Sequence, residues 1–325
     1  MLMITTMSST LFAQGKLGPI TITHGKEIEA DSEKIVRIAG ETNNKIYTLA
    51  TKGKKYFIKV FNSSDMALIS TNEIEMPEFN DDEPDFEEIS VINNRIYILG
   101  SVYDKKNKIS NLLAVEVAED GKLTTNKKKL FSTEVTKNRE KGAFYFKESP
   151  AGDRLLIMHA ALFDKEEVIQ YEIKLIDENL GIVTEHLEKV PFTDRKDLEF
   201  TISDFDVSYD DDIFLVINES YRDRKEKKNN EKFEVHMFMR SNKYAKEVIN
   251  IDFIDKEVIN CEMLITQNKT LNLVGFYSSV RENGKANKEL KGVYSGTVDI
   301  QTKAVTNLKF NEFDYETKVK LIGER

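Results

Sequence analysis

The sequence predicts an all-β chain, a β-propeller of about five four-stranded antiparallel blades, and three observations lead there. A turn-like pair followed by an apolar strand recurs five times, as NNKIYTLA, NNRIYILG, GDRLLIMH, DDDIFLVI and NKTLNLVG. The second residues of these strands, Ile46, Ile96, Leu155, Ile213 and Leu271, are spaced by 50, 59, 58 and 58 residues. Such a period is too long for a hairpin repeat and suits four strands per unit. Around each apolar strand the internal plan is the same: an alternating strand before the turn, a third strand after a polar loop, and a more polar fourth strand.

In chain order, residues 1–14 begin with MLMITTMSSTLFAQ, uncharged and apolar with a small Ala13 near its end. This reads as part of a secretory signal peptide without its basic n-region, so the protein is expected to be exported: periplasmic, on the outer surface, or extracellular. A strand is expected near PITITHGKEIE, at the start of a propeller domain spanning 15–313. Five units follow, at about 33–77, 86–133, 142–191, 200–254 and 258–313. The continuous apolar character of the five second strands demands cover on both faces. Their turn pairs use Asn, Asp and Gly, which accept left-handed backbone angles. Only five prolines occur in the chain, and none interrupts a second strand. Residues 314–325 begin a polar, helix-compatible segment with no evident partner. With the truncated leader, this segment makes an incomplete propeller the expectation.

Composition narrows the function classes. A net charge of −9 argues against nucleic acid as a partner, because phosphate recognition needs a basic face. No stretch approaches a membrane span. The single cysteine, Cys261, lies in the apolar-leaning run VINCEMLIT and is expected to be a buried small hydrophobe. His24, His159, His186 and His236 are scattered, and neither a P-loop, GxGxxG nor GxSxG motif is present, so no cofactor, metal site or catalytic triad is expected.

The acid-rich stretch SDFDVSYDDDIFLVINES, residues 203–220, sharpens the question of a site. Asp210 and Asp211 fall in a repeat turn, and an EF-hand counted from Asp204 would need Gly and Glu where Tyr209 and Leu215 stand. Turn residues are therefore expected there, without calcium. Asp204 and Asp206 instead share one face of an alternating strand, and the corresponding strands carry Glu88 and Glu262. These four carboxylates, Glu88, Asp204, Asp206 and Glu262, are the candidate binding residues, at the mouth of a central channel.

In its LFAQ leader, its NNRIYILGSVYDKKNK style of unit and its Lys-, Asn- and Glu-rich loops, the chain resembles exported β-propeller-like proteins of Bacteroidota. The resemblance implies fold and export and carries no site residue. The expected function is a non-enzymatic binding or scaffold propeller for a protein, peptide or glycan. The alternative is a carbohydrate-active hydrolase working through the channel-mouth carboxylates. The lack of tryptophan counts mildly against a sugar platform.

Overall fold

The computed structural model describes residues 14–17, 20–23, 32–135, 137, 140–163, 168–193, 195–227, 229–253, 256–279 and 289–322. The leader-like residues 1–13 lie outside them. Two short N-terminal strands, β1 (Gln14–Leu17) and β2 (Ile20–Thr23), pair with each other as a separate two-stranded sheet. After them come five antiparallel sheets resembling propeller blades. The first holds β3 (Lys34–Thr42), β4 (Lys45–Lys52), β5 (Lys55–Asn62) and β6 (Leu68–Glu73). The second holds β7 (Asp85–Ile92), β8 (Arg95–Asp104), β9 (Ile109–Val117) and β10 (Leu123–Glu134). The third holds β11 (Ala143–Glu148), β12 (Arg154–Phe163), β13 (Val168–Asp177) and β14 (Ile182–Pro191). The fourth holds β15 (Arg195–Val207), β16 (Ile213–Asp223), β17 (Asn229–Phe238) and β18 (Lys246–Asn250). In the fifth, the first strand is split into β19 (Lys256–Val258) and β20 (Glu262–Ile265). Both pieces pair with β21 (Thr270–Ser279), and β22 (Gly292–Asp299) and β23 (Val305–Glu312) complete the sheet. Among the described residues the one α-helix, α1 (Tyr315–Ile322), lies in the segment for which the sequence suggests a helix.

The five repeated apolar segments begin β4, β8, β12, β16 and β21, each second in its sheet. Alternate side chains of the middle three feed two different cores, because successive residues of a strand point to opposite faces. Ile96 and Ile98 pack with Tyr47, Leu49, Ile58 and Val60 of the first sheet, while Tyr97 and Leu99 pack with Leu155 and Ile157 of the third. Leu156 and Met158 join Ile213, Leu215 and Ile217 between the third and fourth sheets, and Phe214 and Val216 join Leu271 and Leu273 between the fourth and fifth. Both faces need cover, so the run is apolar throughout.

The fifth sheet departs from the expectation of two covered faces. Leu271 and Leu273 are buried, but Leu264, Val274 and Phe276 on the other side are 64%, 47% and 37% exposed. No hydrophobic cluster among the described residues joins this sheet to the first. The sequence TLNLVG alternates where the other strands do not: Asn272 faces outward and bonds Thr297 within its own sheet. Strand β21 is thus a half-buried strand rather than one sandwiched between sheets.

Polar clamps reinforce the cores. At the first and third positions of β4, Lys45 pairs with the Glu119 carboxylate at 2.8 Å and the Tyr47 hydroxyl donates to the Glu119 carbonyl at 3.1 Å. The same positions in β8 repeat the device one sheet along: Arg95 donates to Asn179 Oδ1 at 2.8 Å and Tyr97 to the Glu178 carbonyl at 2.7 Å. In β12, Arg154 reaches Asp211 of the fourth sheet at 3.4 Å. Burial pushes the Tyr97 phenol above its ordinary range, so it acts as a donor. Replacing Tyr97 with Phe is expected to lower stability by about 1 kcal/mol, the net worth of one hydrogen bond, read from the midpoint of urea unfolding.

The aspartate run resolves as turn chemistry plus a seam. Asp211 takes φ 65°. Asp212 donates its backbone N–H to Ser208 Oγ. Ser149 Oγ accepts from Arg154 N and Thr266 Oγ1 from Thr270 N in the equivalent turns. Asp211 is buried against Arg154 and Arg240, and Asp210 pairs with Lys269 of the fifth sheet. These acids are engaged by basic residues.

Candidate functional site

The first strands of successive sheets approach one another, β3 to β7, β7 to β11, β11 to β15 and β15 to β20. Their pairing with the second strands defines equivalent positions. Opposite the fifth residue of each repeated segment (KIYTLA, RIYILG, RLLIMH, DIFLVI and TLNLVG) stand Arg37, Glu88, Tyr145, Asp204 and Glu262. Opposite the third stand Gly40, Ser90, Lys147, Asp206 and Leu264. Three of the four candidate carboxylates therefore occupy one repeat position, and the fourth stands in the same position as Lys147 one sheet earlier.

A local irregularity sets that alignment. In β15 the register slips between Ile202 and Asp204, and in β7 between Phe86 and Glu88. An extra residue in a strand re-aims the side chains that follow it. After the slip, Asp204 lies across from Val216 and Asp206 across from Phe214, on the face turned to the fifth sheet. Phe205 and Val207 pack into the core toward the third.

Asp204 is buried, and its carboxylate accepts the N–H of Phe205 and, across the seam, that of Met263, both at 2.8 Å. Lys147 Nζ from the third sheet lies 3.6 Å from Asp204 Oδ1. One carboxylate thus ties three sheets together. Asp206 is held by the Val207 N–H at 2.8 Å. Burial pushes its carboxyl above the ordinary aspartate range, and the Asp204 charge adds to this, while the Val207 hydrogen bond and Lys147 oppose it. The Asp206 carboxyl, pushed upward by burial, thus stands beside a carboxylate held by two backbone N–H groups and an ammonium.

The other two candidates lie elsewhere. Glu88 forms an ion pair with Arg37 of the first sheet, and the Arg37 guanidinium also donates to the Ile89 carbonyl. Glu262 is exposed and pairs in register with Val274 on the uncovered face of the fifth sheet, away from the seam that holds Asp204. The structure brings Asp204 and Asp206 together and adds Lys147, a residue that the alternation of AFYFKE alone does not single out. Cys261 is buried and its thiol is pushed by burial up to about 12, in keeping with a packing role. His159 is likewise packed, stacked on Phe144 and hydrogen-bonded to the Lys141 carbonyl at 2.7 Å. Among the described residues no group of three His, Cys, Asp or Glu side chains is arranged to hold a metal ion. No described helix is long and apolar enough to cross a membrane.

No protein-family model and no curated protein matches the chain. Among solved structures it is similar to the open-velcro β-propeller domain of the Trilobed protease from Pyrococcus furiosus, with 11% identity, 87% of this chain and 72% of that one covered, and a TM-score of 0.44. It is also similar to an α-L-arabinofuranosidase from Fusarium graminearum, at 12% identity, 74% and 69% coverage and a TM-score of 0.41. An endo-arabinase from Bacteroides thetaiotaomicron matches at 10% identity, 78% and 95% coverage and a TM-score of 0.34. Likeness at this distance concerns sheet architecture only. Because most of the matched structures are of enzymes, the expectation of a non-enzymatic binding or scaffold protein is withdrawn, and with it the expectation that the chain is not an enzyme.

Proposed function

We propose that the five sheets are blades of a β-propeller and that the chain is a hydrolase acting on a carbohydrate, with Asp206 as proton donor and Asp204 as the second carboxylate. The observation that carries this reading is the pair itself. Two acids stand two residues apart on one strand face, beside Lys147, in environments that treat them differently. Backbone N–H groups from two sheets grip Asp204, whereas Asp206 is desolvated and its carboxyl pushed upward. A carboxyl raised above its ordinary range is suited to give a proton.

The chemistry follows from these positions. Asp206, protonated, would pass its proton to the glycosidic oxygen as the bond to the anomeric carbon breaks, Asp204 would stabilise the positive charge that develops there, and water would then add to the anomeric carbon and return a proton to the Asp206 carboxylate. Lys147 opposes the upward push on Asp206. The test is turnover by the purified chain on a panel of aryl glycosides of pentoses and hexoses and of plant and microbial oligosaccharides. Release of aglycone or reducing ends from at least one member, lost in Asp206→Asn, is expected. Failure to hydrolyse any member, with the protein folded, would contradict the reading.

A further inference from the structure

A second concave surface lies on the seam between the second and third sheets, apart from Asp204 and Asp206. It encloses a cavity of about 700 Å³, within the roughly 300 to 1,000 Å³ typical of ligand sites. One wall is formed by Asn107, Lys108 and the end of β10, the other by β12, β13 and β14. Phe163 and Leu187 give it apolar surface, while Thr133 and Gln170 present a hydroxyl and an amide. Thr133 is fixed from behind by His159 Nδ1 at 3.3 Å.

The charges at this groove are unbalanced. Lys108 and Lys189 stand on opposite sides, one from each sheet, and neither has an ion-pair partner among the described residues. Of the two lining carboxylates, Glu172 is taken up by Lys174 at 3.1 Å. This leaves Glu134 alone against two lysines. Hydroxyl and amide groups between two ammonium groups, with an apolar wall for a ring face, match a polyhydroxylated ligand carrying a carboxylate. A fatty acid would leave the amide and hydroxyl unused, and a neutral sugar would leave the lysines uncompensated.

We propose that this groove binds an acidic oligosaccharide, with Lys108 and Lys189 holding uronate carboxylates. Its chemistry is independent of the proton donor at Asp206. The experiment is isothermal titration of the full chain with trigalacturonate and with its methyl ester, which keeps the shape and removes the charge. Trigalacturonate is expected to bind, and the ester about tenfold or more weaker, because charge-assisted hydrogen bonds to a carboxylate exceed neutral ones by that much. The exposed-site variants Lys108→Glu and Lys189→Glu should each weaken trigalacturonate similarly, and Lys189→Gln less. Asp206→Asn should bind as the wild type does, which separates this site from the proposed catalysis. No binding of trigalacturonate, equal binding of acid and ester, or unchanged affinity in both lysine variants would each overturn the proposal.

Discussion

Replacing Phe214 with alanine is expected to destabilise the chain by about 3–5 kcal/mol, the usual cost of emptying a large aromatic from a packed core. Phe214 is fully buried in the cluster that joins the fourth and fifth sheets, among Val235, Met237, Leu271 and Tyr294. It lies directly across from Asp206 in the β15–β16 register. Its loss therefore opens a void at the seam that also holds the candidate acid. Guanidinium unfolding checks the magnitude. The internal control is Phe276→Ala on the uncovered face of the same fifth sheet, where a 37% exposed ring has less surface to lose and a cost of about 1 kcal/mol or less is expected. Equal costs at the two positions would mean that the faces are not differently packed.

Changing Asp206 to asparagine is expected to reduce kcat on an oligosaccharide about 10²- to 10⁴-fold, the usual contribution of a positioned general acid. Asparagine keeps the shape and can still accept the Val207 N–H, so folding should be preserved, but it has no carboxyl proton to give. The loss should depend on the leaving group. A dinitrophenyl glycoside departs without protonation, so its hydrolysis should fall far less than that of a sugar leaving group. Equal losses on both substrates would assign Asp206 a structural role. Full activity in Asp206→Asn would remove it from the mechanism.

The repeat is legible in the sequence because strands buried on both faces must be apolar at consecutive positions, which makes RIYILG and DIFLVI stand out. The same rule hides the difference at β21, where TLNLVG is apolar enough to pass for its neighbours although Val274 faces outward. The candidate pair is half legible. Alternation places Asp204 and Asp206 on one face, but their partners come from other sheets: the Met263 N–H and Lys147 are 59 and 57 residues distant from Asp204 in sequence. The equivalence of Glu88, Asp204 and Glu262 depends on register slips in β7 and β15 that no residue pattern announces. The Lys45–Tyr47 and Arg95–Tyr97 clamps are written twice in the repeat, as KIY and RIY, yet the acceptors of the two tyrosine hydroxyls are backbone carbonyls, which leave no trace in side-chain identity.

The central claim is that the fold pushes the Asp206 carboxyl above its ordinary range beside the Asp204 carboxylate, and carboxyl-detected NMR titration of the folded chain tests it most directly. The Asp206 carboxyl is expected to titrate above the ordinary aspartate value of about 3.9. Its midpoint should fall in Asp204→Asn, which removes a neighbouring negative charge, and rise in Lys147→Met, which removes a positive one. An Asp206 midpoint at or below the ordinary value, unmoved by either substitution, would contradict the account.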